Sequence, residues 1–232
     1  MDAPVRGIAP ARENESARKI ALVFAGGDPV PAAVEARLPV EALVIGADSG
    51  IEHAHGLGRR IDIAVGDFDS VSVEALATAE AAGAQVIRFP VDKDATDLEL
   101  ALDVAAARGV ERITVVGGHG GRFDHYLANA LLLGSARFAG LEIDGWFGEA
   151  HVIVVRRQAR LVGRAGSVVT LLATNGPARG VTTTGLRFPL HEAVLLPGST
   201  LGVSNELVGA EAEVSVSGGT VLSIQPDALG PA

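Results

Sequence analysis

Residues 61–70 read IDIAVGDFDS, a short apolar run that stops at a glycine and opens into two aspartates on either side of a phenylalanine. A run of this kind suits a strand covered on both faces, as strands inside a parallel sheet are. The same texture recurs at 20–25 (IALVFA), 42–46 (ALVIG), 85–89 (QVIRF) and 112–116 (RITVV). Between these runs lie alanine-rich helical stretches at 73–82, 97–108 and 124–138. In 97–108 the apolar residues Leu98, Ala101, Leu102 and Ala105 fall on one helical face, and Gly109 is a natural stop. Strand and helix alternating over 20–147 predict an α/β domain built on an open, mostly parallel sheet.

Past residue 148 the texture changes. Short runs at 151–155 (HVIVV), 167–172 (SVVTLL), 180–184 (GVTTT), 212–217 (AEVSVS) and 220–224 (TVLSI) are separated by Gly, Pro and Asn. Short strands with frequent turn signals predict a smaller all-β, sandwich-like domain over 148–232. No long linker separates the two, so close packing is expected. The first 19 residues, MDAPVRGIAPARENESARK, lack the apolar segment of a signal peptide and are expected to form a disordered polar tail.

Composition narrows the function classes. The 232 residues carry a formal net charge of −9, which argues against a broad contact surface for a nucleic-acid backbone. No stretch approaches the roughly 18 uninterrupted apolar residues of a membrane helix, so no membrane partner is expected. With no cysteine there is no disulfide framework, thiolate zinc site or thiol nucleophile, a composition compatible with a reducing cytoplasm.

The placement of the acids and glycines carries the functional signal. The predicted strands run into Ala47-Asp48-Ser49-Gly50, Gly66-Asp67-Phe68-Asp69-Ser70, Asp92-Lys93-Asp94-Ala95-Thr96-Asp97 and Gly117-Gly118-His119-Gly120-Gly121-Arg122-Phe123-Asp124. In a parallel sheet the carboxyl ends of the strands share one edge, where open α/β folds bind ligands. Carboxylates crowded there repel one another, and a divalent cation relieves the repulsion. Oxygen donors without His or Cys favour Mg²⁺, usually with substrate phosphates completing its shell.

Each loop also has a plainer reading. Asp and Gly are ordinary turn residues, and Thr96 with Glu99 forms a capping box for the helix that follows. Gly117–Gly121 is the stronger signal, because glycines before a helix let backbone N–H groups approach a phosphate. There is no G-x-x-x-x-G-K-[ST] motif, so the loop is not a P-loop, and no G-x-S-x-G elbow of a serine hydrolase. His53 and His55 lie on different faces of a short helix, and His119 and His125 are read as polar lining rather than metal ligands.

Together, ADSG at 47–50, GDFDS at 66–70, KDATDLELAL at 93–102, GGHGGRFDH at 117–125 and GVSNE at 202–206 resemble the thiamine pyrophosphokinase family in order and spacing. The resemblance spans about residues 20 to 225. It implies transfer of diphosphate from ATP to the thiamine hydroxyl, giving thiamine diphosphate and AMP. It also implies Mg²⁺, a homodimer, and an α/β domain followed by a β-rich domain. Asp48, Asp67, Asp69 and Asp97 look like the catalytic acidic cluster, with Asp67, Asp69 and Asp97 as metal ligands. Gly118, Gly120, Gly121, Arg122, Asp124 and Thr96 look like nucleotide or phosphate contacts. Ser204 and Asn205 resemble the thiamine-contacting turn, which in this family completes a site at the dimer interface. Phe188 stands where animal members carry tryptophan; the sole tryptophan here is Trp146. Alternatives are a diphosphokinase for another heterocyclic alcohol, such as a pterin, and a non-catalytic nucleotide- or thiamine-binding protein of the same fold.

Overall fold

The computed structural model describes residues 19–230. The tail expected over 1–19 therefore lies, except for Lys19, outside the described residues. Contacts divide the chain into two units. The first runs through Asn129 and includes Gly140–Glu142; the second holds Ala130–Ala139 and everything from Ile143 onward.

The first unit is a parallel sheet of β1 (Ile20–Ala25), β2 (Leu43–Ala47), β3 (Ile63–Gly66), β4 (Gln85–Arg88) and β5 (Arg112–Gly117) in the order β4-β3-β2-β1-β5. Every neighbouring pair in this row is parallel. The central strands are buried except at Ile20, as their unbroken apolar runs require. The chain builds outward from β1 to β4 and then returns to place β5 on the other side of β1. The direction of winding thus reverses between β1 and β5, and such a reversal opens a crevice at the strands' carboxyl edge.

Helices α1 (Gly50–Gly56), α2 (Val73–Ala81) and α3 (Asp97–Ala107) connect these strands. α3 packs across β1, β2 and β3. Leu98, Ala101, Leu102 and Ala105 are all buried, as their spacing predicts, and Leu100 and Val104 join them. The start of α3 is fixed by Thr96, whose Oγ1 accepts a hydrogen bond from the Glu99 amide at 3.2 Å. Arg108 caps the other end, and Gly109 follows at a φ of 74°.

α4 (Phe123–Leu133) is shorter than the helix expected over 124–138, and a single 3₁₀ turn follows at Ala136–Phe138. Ser135 starts that turn by accepting from the Arg137 amide. The division of the chain within α4 has a physical cause in the second unit. Asn175 Nδ2 donates to the Gly134 carbonyl at 2.6 Å, and Arg156 donates to the Ser135 carbonyl at 3.1 Å. Residues 130–139 consequently pack with the second unit, although the change in sequence texture comes only near 148.

The second unit is antiparallel. It contains β6 (Glu142–Phe147) from its second residue onward, β7 (Ala150–Val155), β8 (Gln158–Val162), β9 (Val168–Thr184), β10 (Ala193–Leu195), β11 (Asn205–Glu206), β12 (Glu211–Ser215) and β13 (Gly218–Gln225). β6 and β7 form a tight hairpin, with Phe147 opposite Ala150. The runs at 167–172 and 180–184, expected as two strands, are one 17-residue strand. The Asn175-Gly176 pair between them takes φ values of 58° and 128° and bulges the strand without reversing it. Its first half pairs with β13 and β11, its second half with β12 and β10. Val155, Leu161, Leu171, Val181, Leu195, Val214 and Val221 form the common core of this unit. Sequence reading missed β6, β8, β10 and β11. Among the described residues no helix is long and apolar enough to cross a membrane.

Candidate active site

A cavity of about 470 Å³ opens at the carboxyl edge of the parallel sheet. Its walls come from the loops after all five strands of the first unit.

The first wall is made of glycine loops. After β1, Gly26 accepts from the Gly118 amide at 2.8 Å, and the Asp28 amide donates to the His119 carbonyl at 2.8 Å. The loops that follow β1 and β5 are thereby tied together across the reversal point. Gly120 sits at a φ of 77°, and a Cβ there would overlap the Asp28 carboxylate. Only glycine satisfies both constraints. Asn129 Nδ2 reaches back from α4 to the Gly118 carbonyl at 3.0 Å and holds the loop against the helix. Nδ1 of His119 is buried without a hydrogen-bond partner among the described residues. Burial lowers its pKa; the Asp28 charge opposes that shift and His53 adds to it.

The second wall is acidic. Asp48, Asp67 and Asp69 each offer a carboxylate oxygen, and the three atoms lie within 4.8 Å of one another. No other His or carboxylate group among the described residues comes together in this way. Asp48 is 9 % exposed, and its Oδ1 has no hydrogen-bond partner among the described residues. Its pKa is raised, first by burial and then by the charges of Asp97, Asp69 and Asp67, while a hydrogen bond from the Ser49 amide opposes them. The backbone of these loops is bent to bring the acids in. Asp48 has a φ of 47° and Phe68 a φ of 65°. Such conformations cost about 1–2 kcal/mol each for non-glycine residues and concentrate at functional sites. At Gly66 a Cβ would press on Asp97 Oδ1 at 3.1 Å and on the Asp48 side chain at 3.4 Å, so the bare backbone leaves room for both carboxylates.

Lys93 stands among these acids. Its Nζ lies 2.7 Å from Asp67 Oδ2 and 2.8 Å from Asp97 Oδ1. Burial alone would lower its pKa, but the hydrogen bonds and charges of Asp67 and Asp97 outweigh burial and raise it. The same bond holds the Asp67 pKa below the usual carboxylate value, against a smaller opposing effect of burial.

The structure brings together Asp48, Asp67, Asp69, Asp97, Thr96, Gly118, Gly120 and Arg122 on the cavity wall. Arg122 and Asp124 form a two-pronged pair, with Nη2–Oδ2 at 2.6 Å and Nε–Oδ1 at 3.2 Å. That pair pulls the Asp124 pKa down to about 2, mainly through the hydrogen bond from Arg122. Arg122 lines the cavity, whereas Gly121 and Asp124 are exposed and are not part of its lining. His119 and His125 line the cavity, as their reading as polar lining expects. Lys93, Tyr126 and Asn129 also line it, although sequence reasoning gave them no role. The legible signal for Lys93 was a lysine embedded in an otherwise acidic loop.

Ser204 and Asn205 belong to the second unit. Ser204 is exposed at a φ of 57°, its amide donating to Thr170 Oγ1 at 3.1 Å. Asn205 is 5 % exposed and hydrogen-bonded to the backbone. Its Oδ1 accepts from the Phe188 and Glu206 amides at 3.0 and 2.9 Å, and its Nδ2 donates to the Phe188 carbonyl at 2.7 Å. This side chain fixes the position of Phe188, a residue 59 % exposed, with the Arg187 guanidinium 5.4 Å from the centre of its ring.

The acidic wall fits a hard divalent cation. It offers oxygen donors only, and the buried, unpartnered Asp48 Oδ1 calls for a positive partner.

Residues 36–144 match the model of the thiamin pyrophosphokinase catalytic domain, and residues 150–221 match that of the thiamin pyrophosphokinase vitamin B1 binding domain. The chain is 29% identical over 185 residues to a thiamine pyrophosphokinase of Bacillus subtilis, covering 79% of this chain and 86% of the relative. A crystal structure of thiamine pyrophosphokinase from Bacillus subtilis superposes with a TM-score of 0.77 at 28% identity, over 89% of this chain and 98% of the other. That of a thiamin pyrophosphokinase from Geobacillus thermodenitrificans gives 0.74 at 28% identity, over 89% and 96%. With both domain models of one family matched in order along the sequence, the chain belongs to the thiamin pyrophosphokinase family.

Proposed function

We propose that this chain is a Mg²⁺-dependent thiamine diphosphokinase that moves the terminal diphosphate of ATP to the hydroxyl of thiamine, releasing AMP. The observation that carries the proposal is the cluster of Asp48, Asp67 and Asp69, with an unpartnered buried oxygen, facing a glycine-walled cavity in a chain of this family. The thiamine oxygen forms a bond to the β-phosphorus of ATP. The bond from that phosphorus to the oxygen bridging the α-phosphate breaks, and the hydroxyl proton passes to a carboxylate of the cluster.

The chain's own groups fit this reaction. The His119 and Gly120 amides of the glycine turn and the Arg122 guanidinium would receive phosphate oxygens, the guanidinium pre-oriented by Asp124. Asp48, Asp67 and Asp69, with Asp97 beside them, would hold Mg²⁺, which when bound supplies positive charge to the phosphate oxygens. The acidic wall also suits the thiazolium cation of thiamine.

We further take the working enzyme to be a homodimer in which the Ser204–Asn205 turn of one protomer meets the substrate of its partner. Supporting this, Phe188, Leu201, Val203 and Val208 around that turn are large apolar side chains left 41–61 % exposed. The absence of cysteine suits the reducing cytoplasm in which we place the enzyme.

The test is incubation of the purified protein with thiamine, ATP and Mg²⁺, followed by quantification of products. AMP and thiamine diphosphate should appear in equal amounts and only with Mg²⁺. ADP in place of AMP, or no turnover, would reject the proposal.

A further inference from the structure

Only two of the chain's 19 Lys and Arg residues are lysine, Lys19 and Lys93; all the others are arginine. In a chain that places arginine almost everywhere, a lysine in the acidic wall is a specific choice. The two ions differ in shape: guanidinium is a flat, five-donor fork, whereas ammonium is a compact point charge. A point charge is what fits between two carboxylates in a narrow space. The Lys93 side chain is 13% exposed, and those of Asp67 and Asp97 are 10% and 26% exposed. Its ammonium sits 2.7 Å from one and 2.8 Å from the other.

Asp67 belongs to two groups at once. It gives Oδ2 to Lys93, and it is one of the three carboxylates that come within 4.8 Å of one another. Its Oδ1 accepts a long bond, 3.3 Å, from the Asp69 amide. Asp97 in turn reaches the acid cluster at Gly66, where its Oδ1 and the Asp48 side chain border the space that a Cβ would occupy. Lys93 therefore lies where a positive charge relieves the repulsion among these acids, which is also the service a divalent cation would perform.

We infer that Lys93 is a positioning residue that acts as a built-in counter-cation, bridging Asp67 and Asp97 while the acidic wall holds no metal and surrendering Asp67 when a divalent cation binds. The inference rests on the reading that this wall takes such a cation. Two positive charges sharing Asp67 repel each other, so the lysine weakens cation binding while it keeps the vacant wall from being distorted by carboxylate repulsion.

The test uses the full chain, without nucleotide, and Mn²⁺ as the probe. In the wild-type protein, amine acylation followed by mass spectrometry compares Lys93 with Lys19, the one other lysine. Lys93 should react at least tenfold more slowly than Lys19 in EDTA and accelerate severalfold in saturating Mn²⁺. In Lys93→Met, the melting temperature in EDTA should fall by several degrees, most of the loss should return with saturating Mn²⁺, and Mn²⁺ should bind about tenfold more tightly.

Equal labelling with and without Mn²⁺ would overturn the inference even if the variant does not fold. So would Mn²⁺ affinity in the variant that is unchanged or weaker, or a stability loss of the same size in EDTA and in Mn²⁺. The last result would mark Lys93 as ordinary scaffolding. Failure of the functional reading is separate: it would appear as absence of AMP formation by the wild-type protein, whatever the Lys93 labelling in EDTA shows.

Discussion

Two polar residues flagged by the sequence, Asp48 in the first unit and Asn205 in the second, are almost equally buried, at 9 % and 5 % exposure, yet they are used in opposite ways. Asn205 directs both ends of its amide at backbone groups of Phe188 and Glu206. Asp48 keeps an oxygen that nothing among the described residues satisfies, on a backbone bent to a φ of 47°. A buried amide with its hydrogen bonds made is scaffolding, whereas a buried carboxylate left unpartnered among other acids marks a place for a ligand. Burial alone does not separate these cases; hydrogen-bond accounting does.

Substitutions can break that contrast, beginning with the largest expected effect. Asp69→Asn should lower turnover by a thousandfold or so while shifting the melting temperature by no more than a few degrees, because the side chain is exposed and its loss disturbs no core. A comparable loss of folding would make Asp69 a structural acid. Gly120→Ala should reduce stability by about 2 kcal/mol in chemical denaturation, since it must hold a left-handed conformation and displace the Asp28 carboxylate. Its turnover should fall with the loss of the amide cradle.

Asn205→Ala should cost about 2 kcal/mol in denaturant unfolding, leaving the backbone groups of Phe188 without their partner. The smallest effect has the opposite sign. Asp48→Asn should make the metal-free protein slightly more stable in denaturant unfolding at neutral pH, because burial and neighbouring acids already disfavour its charge. The same variant should lose turnover. If Asp48→Asn instead destabilised the protein as Asn205→Ala does, the two residues would be alike and the contrast would fail.

The parallel sheet was legible in the sequence because its central strands are covered on both faces and read as nearly unbroken apolar runs, such as Ile20–Ala25 and Leu43–Ala47. The antiparallel unit was harder. Its strands show one face to solvent, so β8 reads QARLV, with Leu161 its one fully buried residue. Turn chemistry also misled: Asn175-Gly176-Pro177 looks like a turn but forms a bulge inside β9, because both flanks find antiparallel partners.

At the site, the carboxyl-edge rule gathered the right loops, since topology alone brings Asp48, Asp67, Asp69, Asp97 and the glycines to one edge. Which acids group with which was not legible. That outcome depends on side-chain reach, and it sets Asp48 with Asp67 and Asp69 while Asp97 turns to Lys93. The hydrogen bonds of the Asn205 side chain to the Phe188 backbone were not legible either, because they join residues 17 apart in sequence.

The central claim is that the acidic wall directs attack to the β-phosphorus of ATP. Its most direct test supplies ATP labelled at the β-phosphorus and follows the label with thiamine and Mg²⁺ present. The label should leave with thiamine, in thiamine diphosphate, and the AMP formed should carry none. Label retained in ADP, with only a single phosphate reaching the acceptor, would contradict it.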